Sequence, residues 1–90
     1  MDLTSFISEM REDFQLPPYL SDDSIKRAIT HANSRLKQLR PNIEPIEDDS
    51  STYFVKMYSY YIICKKGDEF EKDYQNDLLS WQLSAEGGTE

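Results

Sequence analysis

Cysteine, histidine and tryptophan each occur once in this 90-residue chain, and glycine only three times. Each scarcity removes a class of function. A lone Cys64 cannot close an internal disulfide, which points to a reducing compartment. It lies in a greasy, aromatic segment and reads as a small core residue rather than a nucleophile. His31 sits off the apolar stripe of its own segment and reads as a solvated imidazole rather than a general base. No carboxylates stand with it at metal-ligand spacing. The glycines fall in turns or at the C-terminus, so no glycine-rich loop cradles a phosphate. No enzymatic activity, cofactor or metal is therefore expected. No run approaches the ~18 apolar residues of a membrane span, and Met1-Asp2 opens nothing like a secretory leader, so no membrane partner is expected either. Basic residues are outnumbered ten to seventeen, for a net charge of −7. Such a chain has little simple affinity for nucleic acid or anionic lipid. There is no internal repeat and no low-complexity tract.

What is present is helical patterning. Between Ser21 and Arg40 the apolar residues Ile25, Ala28, Ile29, Ala32, Leu36 and Leu39 recur at the spacing of one helix face. Ser21 or Asp22 can cap the N-terminus, Asp22 and Asp23 complement the positive end of the helix dipole, and Lys37 and Arg40 complement the negative end. Pro41 stops the helix, because the residue before proline is pushed out of the α region. Leu3, Phe6, Ile7, Met10 and Phe14 outline an earlier helix, with Asp2 or Thr4 as its cap, ended by Pro17-Pro18. Tyr19 or Leu20 is placed to staple the start of the next helix.

The segment 41–50 holds two prolines and four acids and reads as a loop, with Ile43 and Ile46 turned to the core. Residues 52–65 are rich in β-branched and aromatic side chains, as strands are. Their unbroken length, the capping residues before them and the Lys65-Lys66-Gly67 exit favour helix. On a wheel the apolar residues of that helix wrap well over half the circumference, so it is either central in a bundle or shared with another subunit. Asp68 can cap a last helix bearing Phe70, Tyr74, Leu78, Trp81 and Leu83, with a strongly acidic opposite face. The fold expected is all-α: a small bundle of three to four helices over 3–14, 22–40, 51–66 and 68–83. It forms a single domain over 1–84, followed by a flexible tail at 85–90.

Charge is segregated along the chain. Lys26, Arg27, Arg35, Lys37 and Arg40 fall in one helix without an acid among them, whereas the region from Asp68 onward is strongly acidic. The five cations scatter around the wheel, and Arg27 points nearly opposite the core stripe. A helix reading a DNA groove would converge them with polar readers on one face. The opposed charges read either as solvated faces with helix-end compensation or as complementary surfaces for self-association or a partner. A seam is expected between neighbouring copies, with Lys26, Arg27, Arg35 and Lys37 on one side and Glu71, Asp73 and Asp77 on the other. Tyr58 and the apolar excess of 52–65 lie beside it.

The order of these features resembles the small head–tail connector (adaptor) proteins of long-tailed bacteriophages. The likeness runs over residues 3–83: an amphipathic helix, a proline break, Asp22, Ile25, Ile29 and Ala32 in the next helix, and a Tyr-rich helix from about Tyr53. It implies a non-enzymatic virion subunit, made in the host cytoplasm and copied around a ring beneath the portal protein. The portal and a tail-side completion protein would be its partners, and DNA would pass through the ring without tight binding. Many connectors grip the portal with a C-terminal segment, whereas only six residues follow Ser84 here. The alternative from another class is an acidic inhibitor that mimics DNA charge. Such a mimic needs rows of carboxylates at phosphate-like spacing and few cations.

Overall fold

The computed structural model describes residues 3–87. The five helices are α1 (Leu3–Phe14), α2 (Asp22–Leu39), α3 (Thr52–Ile63), α4 (Gly67–Asp73) and α5 (Gln75–Gly87), with a 3-10 turn at Pro45–Glu47 between α2 and α3. No strand occurs among the described residues. The described residues are all-α, as expected, with five helices among them in place of three or four.

Helix α2 forms for the reasons its sequence states. Ser21 is the N-cap, in extended backbone, and its hydroxyl accepts the Ser24 N–H at 3.1 Å. Ile25, Ala28, Ile29, Ala32 and Leu36 are buried along one face. Each large side chain there contributes about 1.5–3 kcal/mol of burial. Helix α3 lies against this stripe and buries Val55, Tyr58 and Ser59. The Ser59 hydroxyl is satisfied by its own helix, donating to the Val55 carbonyl at 2.6 Å.

Helix α1 adds Phe6, Ile7 and Met10 to the same core. Arg11 ties its end to the proline turn, donating to the Leu20 carbonyl and to Asp22, each at 2.6 Å. Phe14 stacks on Tyr60 of α3 with ring centroids 4.4 Å apart, and Lys56 of α3 bridges Glu9 and Asp13. Leu20 packs against the core, whereas Tyr19 is exposed, so the staple is Leu20. Asp2, one of the two caps expected for α1, lies outside the described residues.

Two features of α3 differ from expectation. The helix runs over 52–63 rather than 51–66, and Cys64, expected in the core, is exposed at its C-cap. The exit is a Schellman turn: Lys65 N–H reaches the Ile62 carbonyl at 2.9 Å and Lys66 N–H the Tyr61 carbonyl at 2.7 Å. Its left-handed residue is Lys65, at φ 63°, not Gly67. Gly67 serves close approach instead, since a Cβ there would stand 3.3 Å from Ile62 Cγ1.

The expected helix 68–83 is two helices, α4 and α5, broken at Tyr74. The break costs little hydrogen bonding, because Tyr74 N–H still reaches the Phe70 carbonyl and Leu78 N–H the Tyr74 carbonyl. It lets Phe70 seat on Tyr58 while Trp81 reaches the other end of α3. There the indole N–H donates to Ser51 Oγ at 2.7 Å, Ser51 donates to Asp48, and the Arg40 guanidinium lies 5.3 Å from the indole centroid. The Ser51 and Ser50 hydroxyls, with the charge of Arg40, hold the Asp48 carboxyl below the usual carboxylate range. The backbone of α5 stays helical through Gly87, into the segment expected to be a tail; residues 88–90 of that segment lie outside the described residues.

The loop 41–50 is anchored from α2. Asn33 donates to Glu44 at 2.7 Å and accepts the Ile46 N–H at 3.0 Å, while Pro45 is buried. Ile43 and Ile46 pack on the core, as expected.

Candidate functional site

The residues expected to form a seam separate into two groups. Arg35, Tyr58 and Glu71 meet inside one chain. Arg35 holds Glu71 through two bonds, Nε to Oε2 at 2.8 Å and a terminal nitrogen to Oε1 at 3.0 Å. Tyr58 donates to the same carboxylate at 2.9 Å. This planar, two-point geometry is the strongest an arginine offers a carboxylate. These three side chains therefore tie α4 to α2 and α3 within one chain, where the sequence reading placed Arg35 and Glu71 on different copies. Lys37 is likewise engaged in its own chain, with Glu44 at 2.8 Å and the Ile43 carbonyl at 3.3 Å.

The electrostatics follow the contacts. The Arg35 hydrogen bonds hold the Glu71 carboxyl below the usual range, opposed in part by burial, and Glu71 in turn raises Arg35. Burial, then the neighbouring Glu71 charge, pushes the Tyr58 hydroxyl up to about 12. A carboxyl depressed on folding contributes stability above its unfolded value and loses it as pH falls through its folded value. Acidification below about pH 4.5 is thus expected to lower the melting temperature. Glu71→Gln should flatten this acid limb while lowering the neutral-pH plateau modestly, since the pair is about one-third exposed and screened. Thermal melts from pH 3 to 7 check it; an identical acid limb in the variant would count against it.

The second group stays at the surface. Lys26 lines a cleft with residues of α1, while Arg27 lines a groove of about 750 Å³ between α2 and the α3–α4 turn. That groove has Leu20, Ile62 and Ile63 as apolar lining, with His31 and Lys65 beside Arg27. Among the described residues Arg27 and Lys65 have no ion-pair partner. His31 also meets Tyr58 edge-on, at 6.4 Å between centroids.

On the other side of α4 lies a cluster that sequence reasoning missed as a unit. Tyr53 and Tyr61 of α3 stand against Tyr74, at 6.5 and 6.0 Å between centroids. Phe70 underlies them, 4.7 Å from Tyr74 and 5.5 Å from Tyr61. Tyr61 donates to Asp73 at 3.0 Å, and this carboxylate is the main cause of its raised pKa, with Glu69 contributing. Tyr74 is pushed up to about 12, first by the Tyr53 hydroxyl, then by burial, with Tyr61 and Asp77 adding. Tyr61 and Tyr74 sit amid negative charge. The helical spacing of 53 and 61 and of 70 and 74 was visible in the sequence; their meeting across two helices was not.

Chemically the surface offers recognition through aromatic faces, carboxylates and a cationic edge. Among the described residues no three His, Cys, Asp or Glu side chains are grouped to hold a metal ion. No helix of the described residues is long and apolar enough to cross a membrane. No family model matches the chain, and neither a curated protein nor a solved structure matches it.

Proposed function

We propose that the protein is a helical subunit of a closed homo-oligomeric ring, of the head–tail connector kind. It would sit between a phage portal protein and a tail-side completion protein and line a channel through which DNA passes. One observation supports an assembly role best: α3 and α5 leave large apolar side chains at the surface. Helix α5 buries Leu78 and Trp81 on one side and carries Leu79 and Leu83 on another, 53% and 58% exposed. Along α3, Tyr53 is 56% exposed, and Met57, Tyr60, Ile62 and Ile63 are only half-buried. A helix apolar nearly all round, as α3 is, is ordinarily enclosed on all sides. A neighbouring copy would enclose these side chains. The resemblance described above supplies the choice of ring and of partners.

The acidic DNA mimic fits less well. Glu9, Asp13, Asp22, Glu44 and Glu71 are bound to cations of their own chain, which removes them from any phosphate-like row.

The test is reconstitution on a phage portal protein, viewed by electron microscopy, with the double variant Leu79→Glu, Leu83→Glu alongside. Wild type is expected to form a closed ring on the portal. The variant should keep its melting temperature, because exposed positions shift stability by only about 0.5 kcal/mol, yet fail to complete rings. A wild-type chain that never associates with itself or the portal would refute the connector reading.

A further inference from the structure

The two surface clusters lie on opposite flanks of α4. Glu69 and Asp73, one helical turn apart, share the flank turned to Tyr61, whereas Glu71 lies roughly 200° from Glu69 at 100° per residue and is held by Arg35 of α2. The groove edged by Arg27 and Lys65 opens between α2 and the start of α4, on the Glu71 side. One surface is therefore acidic and aromatic, and the other is cationic around an apolar floor. They face away from each other on one chain.

Resting on the ring reading, we infer that the strip formed by Tyr53, Tyr61, Tyr74, Glu69, Asp73 and Asp77 receives the Arg27–Lys65 edge of the next copy. The occupant is a second copy of this chain, argued from charge complementarity. Glu69, Asp73 and Asp77 have no ion-pair partner among the described residues, and neither do Arg27 and Lys65. The strip's cleft contains one lysine, Lys66, and the groove one acid, Asp68, so each surface keeps its sign. The ring faces add a second match. Guanidinium stacks on tyrosine, and the quadrupole of the aromatic face attracts its charge. Leu20, Ile62 and Ile63 provide apolar area beside the cations. Because a different patch is used on each side, the contact is head-to-tail, and repeating it yields a ring when the rotation closes. This assigns the seam to Arg27, Asp73 and Asp77, with Lys65, Glu69 and the tyrosines, in place of the Arg35–Glu71 pair already engaged within the subunit.

The experiment compares Arg27→Glu with the double variant Asp73→Lys, Asp77→Lys, each alone and mixed one to one. Association is followed by sedimentation velocity and native mass spectrometry at rising protein concentration, and on the portal. Folding is checked by circular dichroism; should the double variant unfold, Asp77→Lys alone takes its place. Each variant alone is expected to associate about tenfold or more weakly than wild type. The mixture should recover wild-type association, because Glu at 27 meets the introduced lysines and Arg27 meets the untouched acids, and should give closed species larger than dimers. If the single variants associate as wild type does while Leu79→Glu, Leu83→Glu blocks assembly, this seam is overturned and the ring reading stands. If the mixture stops at dimers, the contact is two-fold and the head-to-tail assignment is overturned. If wild type associates neither with itself nor on the portal, the ring reading fails and this inference with it.

Discussion

Phe70→Ala is expected to lower stability by about 3–5 kcal/mol, the usual cost of truncating a fully buried phenylalanine. For a domain of this size that corresponds to a fall on the order of 20 °C in melting temperature. The loss is large because Phe70 is fully buried and stacks on Tyr58 and Tyr74 at 4.4 and 4.7 Å, with Tyr61 edge-on. It is the main apolar anchor of the seven-residue α4, and a helix that short has little stability of its own. Thermal melts followed by far- and near-ultraviolet circular dichroism check the figure, and the near-ultraviolet signal should drop first, as the tyrosines lose their packing. A shift of only a few degrees would mean that α4 is held chiefly by Arg35 and Glu71.

Val55→Asp is expected to leave the chain unfolded at neutral pH. Val55 is fully buried on the face of α3 that packs on α2. A carboxylate there would lack any partner, and burial of an unpaired charge costs several kcal/mol, a large part of a small domain's total stability. The sign with pH is opposite to that for Glu71. Burial raises the carboxyl above its unfolded value, so the penalty is fully present at neutral pH, eases as pH falls through the raised folded value, and is gone below about pH 4. Met57→Asp, only two residues away, should be far milder, because Met57 is half-buried and lines a surface cleft. Circular dichroism at pH 7 and pH 4 separates the two variants. Equal behaviour would show that the buried side of α3 has been misassigned.

The contrast between 55 and 57 shows how far the sequence could be read. That residues 52–63 form a helix followed from their length and flanking caps, even though their β-branched and aromatic composition favoured strand. Which side of that helix faces inward did not follow, because its apolar residues surround most of the wheel. Helix α2 was legible nearly residue by residue, from the Ser21 cap to the stop at Pro41, since its stripe is narrow and its signals are local. The break at Tyr74 carries no proline or glycine. It exists because Phe70 and Trp81 are drawn to different ends of α3, and no local pattern records that.

The sequence by itself determined the all-α class, the core stripe of α2, the proline turn between α1 and α2, and the opposition of a cationic helix to an acidic C-terminal region. These rest on periodicity, capping and charge, all written within a few turns of chain. Only the tertiary structure decided which charges meet at home. Arg35 and Glu71 are 36 residues apart, and complementary signs attract equally well within a chain or between chains. Once the chain folds back through α3, α4 docks against α3 and turns Glu71 to Arg35 of α2, which closes that pair internally. What remains outward is Arg27 and Lys65 on one flank of α4, and the tyrosines with Glu69, Asp73 and Asp77 on the other.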